Sequence, residues 1–176
     1  MRTPLGRTLL AVLTACVLLF GATACNGDEK TDDAAAQSKD PVKFAKTKFV
    51  LHAGLAAGAS YRWIVMPFRE GKFQSGADGR TFAMVKAGLA GAFTYHEVKK
   101  AIDAAQGDPT LSQALVPISV VADKLKDLGR KFSTGNGTEA DVNDITSVVD
   151  GLKSVGAQNG LKVEDQEPSV SQLNSG

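Results

Sequence analysis

The sequence predicts an all-α fold: a bundle of four helices, or five if Pro117 divides the third, with an N-terminal hairpin of two similar helices. Three observations carry this. Apolar residues recur at steps of three and four through the middle of the chain, with no alternating run to mark a strand. Asp, Thr, Gly and Pro stand where helices start and stop. A short motif also returns at a fixed distance, as a duplicated helix would make it do.

Residues 43–66 form the first expected helix, bounded by Pro67, and residues 81–106 the second, bounded by Gly107, Asp108 and Pro109. Both are apolar nearly all round in their middles, which implies burial on most sides. The loop 68–80 between them holds Gly71, Gly76 and Gly79. Asp108 and Pro109 then suit the N-cap and first turn of a helix. Ile118, Val121, Leu125, Leu128 and Phe132 continue it as one apolar stripe. Pro117 lies inside this stretch and should kink or divide it, because it lacks an N–H and crowds the preceding turn. The last long helix starts near Thr138, with Asp141 completing a weak capping box, and places Val142, Ile145, Val149 and Leu152 on one face. It ends around Asn159 and Gly160. The folded domain is therefore expected over residues 41–163, followed by a polar, disordered tail over 164–176.

Ala53, Gly54, Leu55 and Ala56 recur as Ala87, Gly88, Leu89 and Ala90, and Tyr61 recurs as Tyr95 at the same offset of 34. Duplication explains this; so does chance, since Ala and Gly are common here. In a hairpin, residue i of the first helix faces roughly residue 147 − i of the second, within about a turn. Gly54 and Gly58 then meet the neighbourhood of Gly88 and Gly91, allowing close backbone approach. The same register brings His52 level with Tyr95 and His96, and Tyr61 level with Lys86. Nine of the ten aromatic residues beyond residue 24 lie between Phe44 and Tyr95, so binding is expected in this half. The candidate ligand-binding set is His52, Tyr61, Trp63, Tyr95 and His96. A Tyr–His hydrogen bond inside the bundle accounts for the cluster; a small apolar ligand, a haem or a metal held between the two helices would use the same side chains.

Twenty basic and 19 acidic residues leave a net charge of +1, too little for the basic surface that nucleic-acid binding needs. No HExxH, CxxC, GxSxG, Walker A or dinucleotide motif is present. His96 and Glu97 are adjacent but point about 100° apart on a helix, so adjacency makes no dyad of them. Nucleophilic catalysis has little support in the residues.

The N-terminus carries an address. Arg2 and Arg7 precede an apolar run over residues 9–20, then Gly21, Ala22, Thr23, Ala24 and Cys25. This layout resembles a bacterial lipoprotein signal peptide, of actinobacterial type in its alanine-rich style. The resemblance implies cleavage of residues 1–24, a covalent lipid on Cys25 and anchoring at the outer face of the cell membrane. Leu13, Thr14, Ala15 and Cys16 match the same pattern, but cutting there leaves about six apolar residues, fewer than the roughly 7 to 15 such signals use. Ordinary secretory cleavage near Ala24 and an uncleaved anchor are the other readings. Removing residues 1–24 takes two arginines and no acid, so 18 basic and 19 acidic residues remain, a net of −1. Residues 25–40 then form a polar tether, and the exported domain has no second cysteine with which to make a disulfide. The expected function is a lipid-anchored, extracytoplasmic, non-catalytic module that binds a protein or another envelope component; the alternative is a carrier or sensor of a small apolar, haem or metal ligand held between the first two helices. The domain resembles no characterised family.

Overall fold

A computed structural model describes residues 41–174. The expectations for 1–40 (signal peptide, Cys25 and tether) lie outside the described residues, as do the last two positions of the tail. The central pair is an antiparallel hairpin. Helix α1 (Pro41–Ser60) runs into a π-helical turn at Tyr61–Val65 and the short α2 (Met66–Arg69); α3 (Arg80–Ala105) returns alongside. The helical path was expected to stop at Pro67 and instead passes through it. Pro67 falls in the first turn of α2, where its missing N–H is not needed. Gly79, at φ 70°, makes the left-handed residue from which α3 starts.

Small residues fill the hairpin. Ala53, Ala56, Ala87 and Ala90, the alanines of the repeated motif, are all buried, with Phe49 and Phe93 as the large side chains nearby. The glycines do not meet one another across the hairpin as expected. A methyl group on Gly54 would meet the Glu164 carbonyl at 2.5 Å, and one on Gly58 would strike the backbone of Gln166 and Glu167. Gly88 and Gly91 instead receive Ser133 and Gly129 of α5 (Leu125–Ser133). Each pair lets in a third segment, because a helix can present a bare strip on a face other than the one it turns to its hairpin partner.

Helix α4 (Pro109–Ala122) starts at Asp108, whose carboxylate accepts from the N–H groups of Thr110 and Leu111. Burial alone would raise this carboxyl, but those two N–H groups, with Lys46 at 3.4 Å, outweigh it and hold the pKa below its ordinary value. Pro117 does not divide the helix. The break comes at Asp123 and Lys124, between α4 and α5. Leu111 and Leu115 before Pro117 and Ala122 after it are all buried, which anchors the helix on both sides, and Pro117 itself is exposed. Among the described residues there are thus five helices of nine residues or more, split at a different point from the one expected.

Helix α6 (Glu139–Gln158) begins with the expected capping box of Thr138 and Asp141. Asp141 also takes Lys131 at 2.6 Å; burial would raise its carboxyl, but Lys131 and Thr138 prevail and lower it. The helix closes at Asn159 and Gly160, with Leu161 N–H donating to Gly156 O and Gly160 N–H to Ala157 O, a Schellman ending.

The tail is corrected for its described part. Residues 161–169 form a strap across α1, leading into α7 (Val170–Leu173). Gln166 N–H donates to Gly54 O at 2.9 Å, Lys153 pairs with Asp165, and Pro168 and Leu173 are buried. A few apolar anchors spaced among polar residues, laid over a glycine strip, are enough to fix it.

Candidate functional site

The five residues expected to gather do not form one site. His52 lies on the α3-facing side of α1, where its Nδ1 stands 2.7 Å from Glu97 Oε2. The other Glu97 oxygen takes Lys100 Nζ at 2.9 Å, and the Glu97 side chain is buried. Glu97, the residue that sequence reasoning set aside as the neighbour of His96, is the one that meets the histidine. It is two positions beyond Tyr95, within the tolerance of the expected register. His96 is exposed and stacks edge-on against Tyr95 at 5.3 Å, so the two histidines are not partners. One turn before Glu97, Thr94 is buried, and its hydroxyl has no hydrogen-bond partner. The cluster makes an ion-paired carboxylate within the hairpin, one turn from the unpartnered Thr94 hydroxyl.

Trp63 is committed elsewhere. Its indole N–H donates to Pro168 O at 3.1 Å, pinning the strap, while Lys86 lies over its ring at 4.7 Å and over Phe82 at 3.9 Å. Tyr61 is 44% exposed and opens onto a recess of mixed polar and apolar lining, about 250 Å³, between the π turn and α6. Ser60, Arg69, Asp150, Lys153 and Asp165 also line that recess. Its charges are of both signs, and the Lys153–Asp165 pair belongs to the strap. No group of three or more metal-ligating side chains occurs among the described residues. No helix there is long and apolar enough to cross a membrane.

The feature that sequence reasoning missed is α4. Val116, Val120 and Val121 are 60%, 76% and 38% exposed, with Pro117 exposed between them. Leu111, Leu115 and Ala122 on the other side are buried. Val121 was expected in the core stripe with Ile118 and Leu125. The turn at Asp123 and Lys124 rotates the stripe, so that Leu125, Leu128 and Phe132 go inward while Val121 stays outside. Beside the valines lies an apolar groove of about 210 Å³, floored by Ile118, Leu125, Leu128 and Val148 and rimmed by Lys124 and Asp144. The signal was present in the sequence: a helix with apolar residues on every side has more faces than one core can cover.

No family model matches this chain, and neither the curated proteins nor the solved structures contain a significant match to it.

Proposed function

We propose that this chain is a non-catalytic binding module, held by a lipid on Cys25 at the outer face of the cell membrane, whose partner docks on the exposed face of α4. The observation that carries the reading is the row Val116, Pro117, Val120 and Val121, continuous with the apolar groove. Contiguous exposed apolar surface of this kind marks interaction sites. Polar side chains elsewhere support binding over chemistry. Glu97 is spent on His52 and Lys100, and Asp141 on Lys131 and Thr138. The small-ligand reading, with a haem or metal between the first two helices, is less favoured. Alanines and phenylalanines fill that layer, and the α4 groove falls below the roughly 300–1,000 Å³ of most small-molecule sites.

Mass spectrometry of membrane-extracted protein tests the anchor. The expected N-terminal peptide begins at an acylated Cys25, and Cys25→Ala abolishes both the acylation and the removal of residues 1–24, with the melting temperature of the folded domain unchanged. A peptide beginning at Cys16, or an unmodified Cys25 in the membrane fraction, overturns it.

A further inference from the structure

We infer that the face of α1 beneath the strap is a peptide-binding groove, that residues 164–168 are its built-in occupant, and that an extended acidic segment of another protein displaces them. The groove is separate from the α4 face and does not depend on the lipid anchor.

The first argument is that the groove holds main chain. Gly54 and Gly58, one turn apart, leave a bare strip into which the backbone of residues 164–167 sinks. Gly54 O accepts from Gln166 N–H at 2.9 Å, and the Trp63 indole N–H donates to Pro168 O at 3.1 Å. On the strap's side both partners are peptide groups, which any extended segment carries.

The second argument is charge. Lys153 pairs with Asp165, and Arg62 Nε lies 3.6 Å from Glu167 Oε2. With the strap lifted, Arg62, Arg69 and Lys153 stand as three cations beside one carboxylate, Asp150. Such a wall selects an acidic segment over a basic one.

The third argument is that the strap fills the groove incompletely. The side chains of residues 164–167 are all exposed, and the recess of about 250 Å³ beside Asp165 stays open. Tyr61 and Arg69 line that recess, and among the described residues neither side chain has a hydrogen-bond or ion-pair partner. The π turn that places Tyr61 there is of a kind found often at functional sites. A tethered strap competes at an effective concentration of about millimolar, so a foreign segment needs contacts that the strap lacks. A longer acidic side chain at the place of Asp165 finds them in the recess, at Tyr61 and Arg69.

The test is fluorescence anisotropy with labelled peptides of residues 161–174, one unchanged and one carrying Asp165→Glu, titrated into the full chain in detergent. The receiving chains are the parent and a strap variant, Asp165→Asn with Gln166→Pro and Glu167→Gln, which loses the strap's ion pairs and its N–H while keeping the groove. The unchanged peptide is expected to bind the strap variant at least about tenfold more tightly than the parent. The Asp165→Glu peptide should gain about threefold more, a gain that Arg69→Ala removes, and Gly58→Leu in the strap variant should abolish binding of both peptides. Equal affinity for parent and strap variant, binding that survives Gly58→Leu, or no gain from the longer acid each overturn the proposal. Hydrogen exchange in the parent tests displacement without any substitution. The Gln166 amide should exchange at least about a hundredfold faster than that of Val98, buried on α3. Equal rates would mean that the strap leaves only when the whole domain unfolds, which overturns it as a displaceable occupant. A parent chain of twice the expected mass that excess peptide returns to single mass assigns the groove to the strap of a second copy, and overturns the foreign partner.

Discussion

The hairpin of α1 and α3 and the α4–α6 region solve the same burial problem with different side chains. The hairpin uses alanine and glycine, so its helices approach closely and its bare strips are covered by other backbone: the strap over Gly54 and Gly58, and α5 over Gly88 and Gly91. The α4–α6 region uses Leu, Ile and Val, which hold the helices apart and leave a groove and an uncovered row of valines. Small residues make a surface that backbone and a few adjoining side chains fill. Large ones make a core that need not close on every side.

The largest expected effect falls in the large-residue region. Leu152 is fully buried on α6, and Leu152→Ala should cost about 2–5 kcal/mol through lost burial and the cavity left behind. Thermal or urea unfolding measures this. A loss below about 1 kcal/mol would mean that the region collapses around the gap, and the contrast with the hairpin would weaken.

In the hairpin the danger is the reverse. A side chain at Gly91 would collide with the Gly129 backbone, so Gly91→Ala should destabilise by about 1–3 kcal/mol, even though alanine is the better helix former by about 1 kcal/mol. Gly58→Leu collides with the strap, which is held to α1 by few contacts, so its cost is limited to what the strap contributes. Ending the chain at Gly160 should therefore make Gly58→Leu neutral or stabilising by up to about 1 kcal/mol. An unchanged penalty in the shortened chain would show that Gly58 packs against something other than residues 164–167.

This contrast also explains what the sequence could tell. Asp108, the Thr138–Asp141 box and the Asn159–Gly160 ending act within one turn of the chain, and all three appear as expected. The glycine partners, the strap and the exposed side of α4 depend on which segments meet across long separations, which local pattern does not encode. Gly54 and Gly58 showed that something approaches α1 closely, but not what. Pro168, Leu173 and the Ser169–Gln172 capping box were the overlooked signs of an ordered end. Glu97 was missed because adjacency to His96 was considered and partnership across the hairpin to His52 was not.

A smaller effect is expected from acid. Asp108 and Asp141 both have lowered pKa values in the fold, so each contributes stability above the ordinary carboxylate pKa of about 3.9 and loses it as pH falls through that value toward the folded one. Melting temperature should drop below about pH 4. Asp108→Asn keeps the helix cap, since Asn caps as well as Asp, but loses the charge, and should flatten that drop. Asp141→Asn should do the same at the head of α6. A drop equally steep in both variants would assign acid sensitivity to other carboxylates.

The smallest effect on stability is expected at Val120, and it is the most informative about the uncovered face. At 76% exposure, Val120→Asp removes little buried surface, and surface changes of this kind fall within about ±0.5 kcal/mol. Its position near the C-terminal end of α4 adds an unfavourable dipole interaction of a few tenths of a kcal/mol. The same substitution at Leu115, 2% exposed on the opposite side of the same helix, should cost about 3 kcal/mol or more, because the charge has no partner there. One helix would thus tolerate a charge on one side and reject it on the other. If Val120→Asp instead lowers the melting temperature by more than about 4 °C, roughly 1 kcal/mol or more, α4 is packed on both sides in the free chain. The valine row would then be interior, and unavailable to any partner.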